Sequence, residues 1–153
     1  VARKTRDKDK GMKKILREMN SLENASIDAG YFRGVQSDDP TITLAEVATF
    51  NEFRLRDGVT PTWPFMRPAF DKNIAKYKRV SKELMLQLVG QRLGSLKVLR
   101  AIGALMVSDI KQEITNVRAP PNAPATKDAK GFDNPLIETG TMKNRADFRV
   151  RLK

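Results

Sequence analysis

The chain has 153 residues with 29 Lys and Arg against 18 Asp and Glu, a formal net charge of +11, and neither histidine nor cysteine. Without those two residue types the usual zinc, iron and copper sites, disulfides, and Ser-His or Cys-His nucleophile pairs cannot be built, which argues against a hydrolase or an oxidoreductase. The length and the 40% apolar content fit one domain with a modest core, and the charge points to polyanionic partners: nucleic acid, acidic proteins or an anionic surface.

Residues 1–10 carry mixed charge without an apolar period and read as a flexible basic arm. Residues 11–153 read as a single α+β domain. From Met12 the apolar residues Met12, Ile15, Leu16, Met19 and Leu22 recur at helical spacing, which predicts an amphipathic helix. Its outer face carries Lys13, Lys14 and Arg17, either a solvated face or a polyanion-binding one. In "SIDAGYFRG", Ile27, Ala29 and Tyr31 alternate with Asp28, Gly30 and Phe32, the period of a short strand. The "QSDDP" cluster ends it in a loop.

Thr43 and Glu46 form a capping box at the start of "TLAEVATFNEF" and predict a short helix ending near Phe53. Leu44, Val47 and Ala48 make its apolar face, which Phe50 and Phe53 continue. Asp57-Gly58 is a turn signal. In "TPTWPFMRPAF", Pro64 and Pro68 bias Trp63 and Arg67 toward extended backbone, and Pro68 suits the first position of a new helix. That helix runs on to about Leu93, with Phe70, Ile74, Tyr77, Leu84 and Leu88 on its apolar side. Ser95 suits an N-cap for the next and most apolar helix, with Leu99, Ile102, Met106, Ile110, Ile114 and Val117 inward. Ala101, Gly103 and Ala104 offer room for close approach of another element.

A long Pro-rich loop follows at about 118–135, holding Pro120, Pro121, Pro124 and Pro135; loops of this length are usually functional or ordered by partners. After a helical turn following Gly140, "DFRVRLK" alternates, with Phe148, Val150 and Leu152 on one face and Arg149, Arg151 and Lys153 on the other. The expected fold is therefore α+β: a small antiparallel sheet packed with three to four helices, a long N-terminal helix and extended Pro-rich loops. No apolar run reaches membrane-spanning length and the N-terminal stretch lacks the apolar core of a secretory signal, so the expected place of synthesis and assembly is the cytoplasm.

The acidic residues offer little chemistry. Glu46 has its capping role, nothing joins Glu52 to Asp57, and Asp38, Asp39 and Asp128 stand as isolated loop acids without calcium-loop spacing. No phosphate-binding Gly-rich loop is present. Tyr31, Phe32 and Trp63 are not interleaved with the basic clusters, as stacking on nucleic acid would require. Trp63 and Phe65 read either as core at a helix crossing or as an intermolecular anchor.

Four stretches, taken together and in order, resemble the tail-completion or neck (head–tail joining) proteins of long-tailed bacteriophages, related to the lambda minor tail protein Z family. They are "DAGYFRG", "TLAEVATFNEF", "PTWPFMRPAF" and "PPNAPATKDAKGFDNPLIETGTM". The chain departs from the family pattern at Arg54, where Gly follows N-E-F, at Trp63, where an Arg stands, and at Glu138, where an Asp stands. The resemblance implies a non-enzymatic virion subunit without cofactors. It implies a six- or twelve-fold ring at the head–tail junction, assembled in the host cytoplasm, with phage DNA passing through its channel. The partners it implies are a head-closure or connector protein and a tail terminator or tail tube protein.

On this reading Trp63, Phe65, Arg67, Pro120, Pro121, Pro135, Leu136, Thr139 and Gly140 are expected at subunit contacts. Proline stiffness lowers the entropy lost on docking. Lys13, Lys14, Arg17, Arg149, Arg151 and Lys153 would face DNA or, preferably, acidic surfaces of neighbouring rings, because a channel must release its DNA. The rival readings are a tail terminator and, from another class, a nonspecific DNA-binding protein whose affinity falls steeply with salt.

Overall fold

The computed structural model describes residues 11–53 and 62–152. In chain order these form α1 (Met12–Glu23), β1 (Ser26–Gly30), α2 (Leu44–Glu52), α3 (Met66–Val89), α4 (Ser95–Asn116), α5 (Pro124–Lys130), α6 (Thr141–Arg145) and β2 (Asp147–Arg151). The fold is α+β, with a two-stranded antiparallel sheet. The expected arm 1–10, the Asp57–Gly58 turn and Lys153 lie outside the described residues.

Helix α4 is the axis, as its apolar content predicts. It buries Val98, Leu99, Val107, Ile110 and Ile114, and α3, both strands, α6 and α1 all pack on it. The core joins Val107, Ile110 and Ile114 to Leu44 and Ala48 of α2, Phe65 and Ala69 at the start of α3, and Leu136, Met142 and Ala146 near the C-terminus. Fully burying a side chain such as Phe65 or Ile114 contributes about 1.5–3 kcal/mol.

The strands pair with Ile27 opposite Val150 and Ala29 opposite Phe148. The period-two alternation sends Phe148 toward α4, where Gly103 leaves it room: a Cβ on Gly103 would lie 2.3 Å from the Phe148 ring. Ala101 and Ala104, expected to serve the same close approach, are exposed. Past β1, Tyr31 turns inward. Its ring meets Phe65 edge-on at 6.1 Å and its hydroxyl donates to the Met142 carbonyl at 2.9 Å.

The capping box forms as read: the Thr43 hydroxyl accepts from the Glu46 amide, and the Glu46 carboxylate accepts from the Thr43 amide at 2.7 Å. Two other helix starts are capped from a distance. Helix α3 begins two residues before Pro68, because the Glu52 carboxylate accepts the amides of Phe65, Met66 and Arg67 at 2.9–3.0 Å. Pro68 then falls at the third helical position, where the missing N–H would have had no intrahelical acceptor. At α4 the N-cap is Gly94 rather than Ser95; the Ser95 amide donates to Glu18 of α1 at 2.6 Å, and the Ser21 hydroxyl donates to the Ser95 hydroxyl.

Other expectations are corrected. The N-terminal helix is short, 12 residues against 24 for α3 and 22 for α4, and none of its residues is buried. Phe50, Phe53, Phe70 and Ile74 are exposed: helical spacing sets an angular face, but the neighbours cover only part of it. The 118–135 segment is not one loop. Pro124 opens α5 at its first position and Gly131, at φ 74°, closes it. The segment is tied down within the chain: Lys127 pairs with Asp133 at 2.7 Å, the Asn122 amide donates to Asp133, and Asn134 donates to the Ile114 and Thr115 carbonyls at the end of α4.

Candidate interaction site

The four stretches that carry the family resemblance meet at the junction of α2 and α3. The Trp63 amide donates to the Asn51 carbonyl at 3.0 Å, and the Trp63 indole N–H donates to the Pro120 carbonyl at 2.6 Å. Asn51 Nδ2 donates to the Val47 carbonyl and approaches the Met142 sulfur at 3.9 Å. With the Tyr31–Phe65 and Tyr31–Met142 contacts, residues far apart in sequence hold one another in place.

Beside this junction a pocket of about 230 Å³ opens between residues 37–42 and 135–142. Its floor is apolar, from Ile42, Leu44, Val47, Leu136 and Met142. Its rim carries Asp38, Asp39 and Glu138 with Thr139 and Thr141. The Thr139 hydroxyl donates to one Asp38 oxygen at 2.5 Å and the Thr141 hydroxyl to the other at 2.8 Å. These bonds, Thr139's first, hold the Asp38 carboxyl below the usual carboxylate range. The hydroxyl and then the amide of Thr41 do the same for Asp39. Among the described residues no Lys or Arg pairs with Asp38, Asp39 or Glu138. The rim is therefore a negative patch on a strongly positive chain.

The residues expected at subunit contacts divide. Phe65 is 0% and Leu136 6% exposed, so both are core and cannot anchor a neighbour. Fully apolar, they complete the packing of α2, α3 and α4. Trp63 is half-buried against the core and spends its N–H on Pro120. Arg67 is exposed with its guanidinium 5.7 Å from the Phe53 ring centre, and Pro120 and Pro121 are exposed. Pro135, Thr139 and Gly140 line the pocket.

The basic residues divide as well. Lys13, Lys14 and Arg17 are exposed on α1. On β2, Arg149 stacks 4.0 Å over the Phe32 ring and Arg151 pairs with Asp28 at 2.6 Å. The outer face of β2 is thus partly engaged within the chain rather than free for a polyanion.

Sequence reasoning missed the rim, because Asp38 and Asp39 read as isolated loop acids and Glu138 only as a departure from the family pattern. The available signal was the Asp39-Pro-Thr41 spacing of an Asx turn, whose Thr41 amide donates to Asp39. Among the described residues no three acidic side chains could hold a metal ion, and no helix is long and apolar enough to cross a membrane. Comparison of the chain with protein-family models, curated proteins and solved structures gives no match.

Proposed function

We propose that this chain is a structural subunit of the phage neck, a tail-completion protein that forms a homo-oligomeric ring between the DNA-filled head and the tail and leaves a channel for DNA. One observation carries the reading: the four stretches that resemble the family, spread over 116 positions from Ile27 to Met142, are bonded to one another at a single junction. A chance likeness of four short motifs would not require them to be mutual partners in space. The pocket beside that junction supplies a concave surface for a neighbouring protein, and its 230 Å³ is smaller than the range usual for small-molecule sites. The partners on this reading are other copies of the chain, a head-closure or connector protein above and a tail terminator or tail tube protein below.

Electron microscopy of a phage lysate lacking this protein tests the reading. Full heads and finished tails lying separate are expected. Tails of uncontrolled length would assign the tail-terminator role instead. Normal infectious particles would overturn both, and binding of the purified protein to DNA as a function of salt would then be the next measurement.

A further inference from the structure

Helix α4 sorts its charges by face. Lys97, Arg100, Ala104, Ser108, Lys111 and Thr115 follow one another at steps of three and four, so they form one row along the helix. The first four are exposed and the last two half-buried, and the row contains no acid. The two acids of α4, Asp109 and Glu113, lie on the side toward α3, where they pair with Lys76 and Lys72. Helix α3 shows no such sorting: its outward Lys78 and Lys82 share a row with Asp71, and Arg79 pairs with Glu83.

Beside the row an open groove of about 360 Å³ runs between α4 and α6. Lys111 lines it from α4 and the half-buried Lys143 from α6, and its lining holds no acid. The acidic-rimmed pocket is separate: Met142 lines that pocket, Lys143 lines the groove, and no residue lines both. Asp147, the acid nearest to Lys143 in sequence, falls on the face of β2 opposite Phe148, the residue that packs on Gly103 of α4. Among the described residues Lys97, Arg100, Lys111 and Lys143 have no ion pair.

From Lys97 to Lys111 the row covers about 21 Å at 1.5 Å per residue. The small side chains of Ala104 and Ser108 leave the helix surface low between Arg100 and Lys111. A single small anion would engage only the two lysines of the groove. Cations spread over this length fit a partner whose negative charge repeats along a line, and duplex DNA carries one charge per about 1.7 Å of its axis. No aromatic side chain stands in the row or the groove lining, so nothing on this face stacks on bases.

We infer that the outer face of α4, with Lys143 of α6, is a contact surface for the phosphate backbone of duplex DNA, without regard to sequence. Phosphate contacts without base recognition let a protein and DNA slide past one another, which suits the wall of a channel that must release its DNA. For that setting the inference rests on the ring reading above, but the contact itself belongs to the purified protein. It moves the DNA contact from β2, where Arg149 and Arg151 are engaged within the chain, to α4.

Fluorescence anisotropy of a short labelled duplex against salt tests it. Each phosphate contact contributes about 0.9 to the slope of log affinity against log salt. Lys111→Gln combined with Lys143→Gln should therefore make the slope shallower by about 1.8. Between about 50 and 200 mM salt the wild type should then lose about twelvefold more affinity than this variant, whatever the rest of the chain adds. Ala104→Glu puts an acid in the row and should weaken binding at low salt at least about tenfold. Lys14→Gln combined with Arg17→Gln, at exposed positions of α1, should leave the slope unchanged. Circular dichroism melts check the fold of each variant; Gln and Glu are good helix formers.

A slope that Lys111→Gln with Lys143→Gln leaves unchanged, or one that the α1 variant lowers instead, would overturn the inference. So would displacement of the duplex by polyglutamate at equal charge concentration, which would assign the face to an acidic protein surface. If the duplex contact fails while lysates lacking the protein still show separate heads and tails, the neck role stands and only this contact falls. Duplex binding at this face together with normal infectious particles would keep the contact and remove the neck role.

Discussion

The Glu52 carboxylate accepts the backbone N–H of Phe65 at 2.9 Å, joining the last residue of α2 to the N-cap of α3. The same carboxylate takes the next two amides, so one acid satisfies three donors that the helix itself leaves open. The contact also fixes Phe65, the largest fully buried side chain among the described residues. Glu52→Ala should destabilise the protein by about 1.5–3 kcal/mol, the range for hydrogen bonds to a charged group. Glu52→Gln should cost less, because one acceptor oxygen remains. Urea denaturation midpoints for the three proteins check the order; equal midpoints would mean that water replaces the carboxylate without penalty.

That relationship also marks where the sequence stops being readable. The Thr43–Glu46 box was legible because both partners lie within one turn of their helix. The caps of α3 and α4 were not, because Glu52 is 13 residues from Phe65 and Glu18 is 77 residues from Ser95. Alternation in "DFRVRLK" and "SIDAGYFRG" gave both strands, although β1 stops at Gly30, before Tyr31 and Phe32, and the structure supplies their pairing. The apolar spacing gave both helices, and on α3 it found the buried Tyr77 and Leu88, but on α1 it gave no burial. Met12, Leu16, Phe70 and Ile74 sit on apolar faces that the described residues leave largely uncovered. Among the pocket residues, Pro135, Thr139 and Gly140 were reached through the family resemblance, whereas Asp38 and Asp39 matter only through Thr139, Thr141 and Thr41.

Gly103 faces a conflict between local and tertiary preference. Alanine is a better helix former than glycine by about 1 kcal/mol, so Gly103→Ala in an exposed helix would stabilise. Here the new methyl would lie 2.3–2.8 Å from three atoms of the Phe148 ring, too close without movement of β2. The clash should win, with a net destabilisation of about 1–3 kcal/mol. Phe148→Ala should cost stability alone yet relieve part of the Gly103→Ala penalty. A double-mutant cycle on thermal or urea midpoints reads that coupling, and strict additivity would show that β2 shifts freely.

The burial of Phe65 separates a core role from an interface role. Phe65→Ala should destabilise the isolated protein by about 3–5 kcal/mol, as for other aromatic truncations in cores. Trp63→Phe keeps the ring and removes the indole N–H to Pro120, so a loss of about 1 kcal/mol is expected. Melting of the free subunit checks both. A Phe65→Ala protein with an unchanged melt but defective association would return Phe65 to the interface.

Stability should be level near neutrality and fall at both extremes of pH. Glu18, Asp38, Asp39, Glu46 and Asp133 ionise more readily folded than unfolded, held by the Ser95 amide, Thr139, Thr41, Thr43 and Lys127 respectively. A carboxyl with a lowered folded pKa adds stability above its unfolded value, about 4, and loses that contribution as pH falls through the folded value. Burial pushes the Tyr31 phenol up; burial first, then the nearby Asp109 carboxylate, does the same for Tyr77. A raised phenol contributes fully below its ordinary value of about 10 and loses that contribution as pH rises beyond it. Asp38→Asn removes one acid from the low-pH limb. It should be less stable than the wild type at pH 7, and the gap should narrow as pH falls below about 4, measured by urea midpoints across that range. Parallel curves would mean that Asp38 gains nothing from Thr139 and Thr141.

Between α3 and α4, Lys76 bonds Asp109 Oδ1, and the two partners are unequally placed: the Lys76 side chain is 33% exposed and that of Asp109 10%. The other Asp109 oxygen is buried without a hydrogen-bond partner among the described residues. Replacing Lys76 strands a carboxylate that cannot reach water, whereas replacing Asp109 frees a lysine that can swing outward along its flexible stem. Lys76→Met should therefore destabilise by about 1–3 kcal/mol, and Asp109→Asn by under about 1 kcal/mol. The exposed pair Arg79–Glu83 on α3 serves as a control, since breaking a largely solvated ion pair costs little. If Asp109→Asn proves the more damaging change, Asp109 is holding the two helices through a contact other than Lys76.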